Sequence, residues 1–103
     1  MSPASIGLNV AQESPGSFVV EIAPPASRRS GGGTSTTHHV NVPPGLAEKI
    51  GGTGTTDDQF VKESFRFLLE REPNTSILRS FSIEVIGKYF PEWDGEMARR
   101  LSR

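Results

Sequence analysis

Apolar and polar residues alternate from the start of the chain. Ile6, Leu8 and Val10 fall on one side of residues 5–13, and Gly7, Asn9 and Ala11 on the other. A period of two marks a strand with one buried face. The run Ser17–Ala23 repeats the pattern, with Phe18, Val20 and Ile22 opposed to Val19, Glu21 and Ala23. Between the runs lies Glu13-Ser14-Pro15-Gly16-Ser17. Proline presets the first φ of a type II turn and glycine accepts the positive second φ, so an antiparallel hairpin is expected. Pro24-Pro25 ends the second strand, because proline cannot donate to a ladder. Residues 26–35 are rich in glycine and serine and predict a mobile loop. Residues 36–42 alternate again and are β-branched, with His38, Val40 and Val42 on one face and Thr37, His39 and Asn41 on the other. They predict a third strand, which completes a meander over 5–42.

The period then lengthens to that of helices. Pro44 or Gly45 opens a short helix over 44–50, which Gly51-Gly52 ends. Thr56-Asp57-Asp58-Gln59 reads as a capping box, with two acidic residues where the helix dipole favours anions. The helix that follows runs to about Glu72. Phe60, Val61, Phe65, Leu68 and Leu69 form its apolar stripe, with Phe67 at the margin, and Lys62, Glu63, Arg66 and Glu70 cover the opposite face. Pro73 ends it. Asn74 or Thr75 caps a short helix through Ile77, Leu78 and Phe81. Ser82 caps another, with Ile83, Val85, Ile86, Tyr89 and Phe90 mostly turned inward. Pro91 closes that helix and opens a last one, on which Trp93, Met97 and Leu101 recur every four residues. The expected fold is α+β: a three-stranded antiparallel β-meander followed by four to five short helices, with a helical block over 57–101, all in a single domain spanning 1–103.

Composition changes this picture in one respect. The chain holds six Phe, one Tyr and one Trp. All of them but Phe18 lie between Phe60 and Trp93, so the core is expected to be built mainly there. Eleven basic residues against twelve acidic give a net charge of −1, balanced in both halves. Bulk electrostatics therefore gives no reason to expect nucleic acid or an anionic membrane as partner. No apolar run approaches the ~20 residues that span a bilayer. The absence of cysteine excludes disulfides and thiolate metal sites and suits a reducing compartment. MSPASIGLNV has no basic run before an apolar one, so no signal peptide is expected and a cytoplasmic location is.

Candidate chemistry is sparse. His38 and His39 are the only histidines, and neighbours on a strand point to opposite faces. They cannot ligate one ion unless the strand is broken, so His38 is expected on the buried side and His39 in solvent. Gly51-Gly52-Thr53-Gly54-Thr55-Thr56 precedes a helix but lacks the GK[ST] ending of a phosphate loop, and Asp57 stands where a phosphate would sit. There is no GxSxG elbow. Glu63, Glu70 and Glu72 lie among Lys62, Arg66 and Arg71 and read as a charged face. No enzyme activity, cofactor or metal is expected.

The run ESFRFLLEREPNTSILRSF followed by VIGKYFPEW resembles a family of small, uncharacterised single-domain bacterial proteins. In that family a β segment with a TTHHVNVP-like strand precedes the helical block. The resemblance supplies no activity, ligand or site. The function expected from the residues is a small non-enzymatic accessory or protein-interaction module, acting on another protein or by self-association. The alternative is a DNA-binding regulator with a helix-turn-helix-like C-terminal half, in which the recognition segment 82–90 offers Lys88 but also Glu84 and is otherwise largely apolar. Tyr89, Phe90 and Trp93 crowd around Pro91. Phe90 is expected on Phe65 and Phe81, while Trp93 or Tyr89 stays part-exposed, so that Tyr89, Trp93 and Met97 form a candidate interaction surface. The competing reading is that Trp93 and Met97 dock the last helix onto the core.

Overall fold

The computed structural model describes residues 7–23 and 35–101. The hairpin forms as its sequence pattern requires. Strand β1 (Gly7–Ser14) pairs antiparallel with β2 (Ser17–Ala23), and Gly16 takes φ 79° in the turn. A register irregularity separates Gln12 from Ser14. Strand β3 (Thr36–Asn41) pairs antiparallel with β2. The alternation sorts side chains as expected: Phe18, Val20, Ile22, His38 and Val40 are buried, while Glu21, Thr37, His39 and Asn41 are exposed on the open face. The loop expected over 26–35 lies outside the described residues, apart from Ser35.

The meander is not the whole sheet. A fourth strand, β4 (Ser80–Ser82), pairs parallel with β3 and completes a mixed sheet of order β1-β2-β3-β4. The sequence pattern put these residues at the end of a short helix. Only Asn74–Ser76 is helical there, as a single 3-10 turn. The reason lies in the partner strand. Beyond β2, the main chain of β3 still needs partners, and His39 N–H donates to Arg79 O and Ile83 N–H to Asn41 O. With Phe81 opposite Val40, its ring turns to the core side and Ser80 and Ser82 to the open side.

Among the described residues there are four α-helices: α1 (Leu46–Gly51), α2 (Asp57–Arg71), α3 (Val85–Tyr89) and α4 (Trp93–Leu101). The predicted capping box starts α2. Gln59 N–H donates to Thr56 Oγ1 and Thr56 N–H to Gln59 Oε1, both at 3.1 Å. Its buried stripe is Phe60, Val61, Ser64, Phe65, Phe67 and Leu68. Phe67 is therefore inside rather than marginal. Its ring meets Phe90 edge-on at 5.9 Å, and the Arg71 guanidinium lies 3.7 Å from its centroid. These cover a face that α2 alone would leave wet. The carboxyl end of α1 approaches that of α4 closely: a Cβ on Gly51 would stand 3.0 Å from Leu101 Cδ1. One hydrophobic core joins the inner face of the sheet to α1, α2, α3 and α4.

Candidate functional site

Helix α4 is held by Trp93. Its indole is 4 % exposed and lies 5.5 Å from the Phe60 ring. Its Nε1–H donates to Ser64 Oγ at 3.1 Å, and the Ser64 hydroxyl donates to Met97 Sδ at 3.6 Å. A buried indole N–H requires an acceptor, and α2 supplies a serine inside its apolar stripe. Trp93 and Met97 thus dock the last helix and are not part of an exposed surface. A Cβ on Gly87 would come within 3.2 Å of Trp93 Cε3, so α3 also closes on the indole.

Charge ties the same helices together at the surface. Arg100 on α4 donates to Glu63 at 3.2 Å, Glu70 at 2.7 and 2.9 Å, and Glu96 at 3.1 Å. These carboxylates, Glu70 foremost, raise the Arg100 pKa above its ordinary value. The Arg100 hydrogen bond lowers that of Glu96, which also pairs with Arg99. Glu63 and Glu70 therefore anchor α4 to α2 through Arg100.

His38 is fully buried. Its Nδ1–H donates to Leu78 O at 2.7 Å, and its Nε2 accepts from the Thr36 hydroxyl at 2.7 Å. The Asn74 side-chain amide donates to the same Thr36 oxygen at 2.9 Å. This chain fits a neutral imidazole in one tautomer. Desolvation lowers its pKa, although the Leu78 carbonyl opposes that shift. The network fixes the segment after α2 onto β3. His39 lies on the open face, 3.8 Å from Glu13. Among the described residues no group of His, Asp and Glu is arranged to hold a metal.

Tyr89 behaves differently from Trp93. It is 67 % exposed, and Leu78 is 48 % exposed. Both line one groove of about 250 Å³. Leu68, Ile77, Phe81, Phe90, Glu72 and Ser76 also line it. Three things build this groove. The 3-10 turn and the His38 bond bring Leu78 back toward the sheet. Strand β4 sets Phe81 on the core side, where its ring meets Phe65 at 6.0 Å. Helix α3 buries Ile86 and leaves Tyr89 outside. Phe90, expected on Phe65 and Phe81, instead makes its ring contact with Phe67. Of the expected surface residues, then, only Tyr89 is exposed, and Leu78 joins it. The sequence pattern showed no sign of Leu78's exposure, because it placed the residue in a short helix that the structure replaces with a 3-10 turn and strand β4.

In the recognition segment 82–90 of the alternative helix-turn-helix reading, Ser82 ends strand β4 and helix α3 spans five residues, Val85–Tyr89. No helix among the described residues is long and apolar enough to cross a membrane. No family model, curated protein or solved structure matches this chain.

Proposed function

We infer that this protein is a small cytoplasmic interaction module without chemistry of its own, whose groove takes a short apolar segment of another protein. The observation that carries this reading is the convergence of Leu78 and Tyr89, the large hydrophobic residues left exposed among those described, on one concave apolar surface. Apolar surface that folding could have buried but did not is a mark of recognition sites. A groove of about 250 Å³ has room for one or two side chains and not for a folded domain face. Tyrosine suits the role, because its ring offers a large rigid contact and its hydroxyl stays hydrated when unbound. His38, the buried histidine, is committed at both ring nitrogens to the frame of the fold.

The test is site-directed photocrosslinking in extract of the producing cells. A photoreactive phenylalanine at position 89 should capture a discrete partner, and one at position 37, on the open sheet face, should not. Leu78→Asp should abolish the capture while leaving the denaturation midpoint close to wild type. Equal capture from both positions, or capture that survives Leu78→Asp, would refute the groove as the binding site.

A further inference from the structure

The ladder assigns which main-chain groups of the outer strand β1 point away from β2. Val42 N–H donates to Gly16 O at 2.7 Å, and the same register sets Phe18, Val20 and Ile22 opposite Val40, His38 and Thr36. Successive residues of a strand aim their N–H and C=O to opposite sides. The even-numbered residues of β2 therefore bond to β3, and Val19, Glu21 and Ala23 bond to β1. Their partners on β1 are Ala11, Asn9 and Gly7. It follows that the N–H and C=O of Leu8, Val10 and Gln12 point away from the sheet. No other strand pairs with that edge among the described residues.

Edge strands are normally protected by charge, proline, bulges or brevity. The segment Gly7-Leu8-Asn9-Val10-Ala11-Gln12 has no charge and no proline, and its register irregularity comes only after Gln12. At the opposite edge, β4 has only three residues. Leu8 and Val10 sit on the core face yet are only half-buried, so apolar surface lies beside the outward groups. The edge is also complementary to itself. An antiparallel pairing with its two-fold axis at Val10 sets Val10 opposite its own copy and Leu8 opposite Gln12 of the second copy. In that register every outward N–H and C=O of these three residues meets a partner, and no like charges are brought together. We propose that two copies of this chain associate through β1 about a two-fold axis at Val10, joining their sheets into one. This surface is separate from the groove at Leu78 and Tyr89.

Sedimentation equilibrium from about 10 µM to about 1 mM should show a monomer–dimer equilibrium. Gln12→Pro removes one outward N–H at an exposed position and no bond to β2. It should weaken dimerisation roughly tenfold or more, since a donor is lost in each copy. Val10→Pro, at the axis, should do the same. In the wild-type protein, amide exchange at Leu8, Val10 and Gln12 should slow as concentration rises, while Asn9 and Ala11 stay constant. This last readout needs no variant to fold. A monomer at every concentration overturns the proposal. So does a dimer that keeps fast exchange at these three amides, or one that Tyr89→Ser disrupts and the prolines do not.

Discussion

The hydrogen bond between Trp93 and Ser64 can be isolated by a double-mutant cycle. Ser64→Ala leaves the indole N–H buried at 4 % exposure with no acceptor. An unsatisfied buried donor costs about 1–3 kcal/mol. Trp93→Phe removes that donor together with part of the ring seated against Phe60 and Gly87, and the lost volume adds a cavity cost, for a total of about 2–4 kcal/mol. In the double variant neither partner is left orphaned. It should therefore be more stable than the sum of the single losses by about 1 kcal/mol. Total stabilities of domains this size are about 5–15 kcal/mol, so each single variant should remain largely folded, and the double variant is measured where the total exceeds the combined loss of about 2–6 kcal/mol. The assay is urea denaturation at constant slope. It must be followed by far-ultraviolet circular dichroism, because Trp93 is the only tryptophan and its fluorescence disappears with the substitution. Additivity within about 0.3–0.5 kcal/mol would show that the bond carries no coupling and that apolar contact alone docks α4.

Two further perturbations test the frame around the groove. Thr56→Ala removes the side-chain acceptor of the α2 capping box and should destabilise the protein by about 1 kcal/mol; an unchanged urea midpoint would contradict the cap. Burial holds His38 below its unfolded pKa of about 6.5, so the unfolded chain binds more protons as pH falls. Stability should be full above that value, decline as pH drops below it toward the folded pKa, and then level off. His38→Gln should flatten this part of the stability profile, and an unaltered slope would assign the titration to other groups.

What could be read from the sequence was whatever depends on neighbours along the chain. The alternation at Phe18, Val20 and Ile22 and at His38, Val40 and Val42 fixes which side of each strand is buried, because a strand has only two faces. Thr56 and Gln59 cap α2 through bonds spanning three residues, and Gly16 turns the hairpin locally. Histidines adjacent on a strand must part, so His38 goes in and His39 out. The features that tertiary structure decided involve partners distant in sequence. Strand β4 exists because β3 offers unpaired main chain, a condition that Ser80-Phe81-Ser82 cannot announce by itself. Trp93 is buried because Ser64, 29 residues earlier, accepts its N–H. Phe67 is covered because Arg71 and Phe90 close over it. Tyr89 was already a candidate for exposure in the sequence, whereas Leu78 read only as one apolar residue of a short helix. Only the assembled sheet, the 3-10 turn and the brevity of α3 leave them facing solvent along one groove.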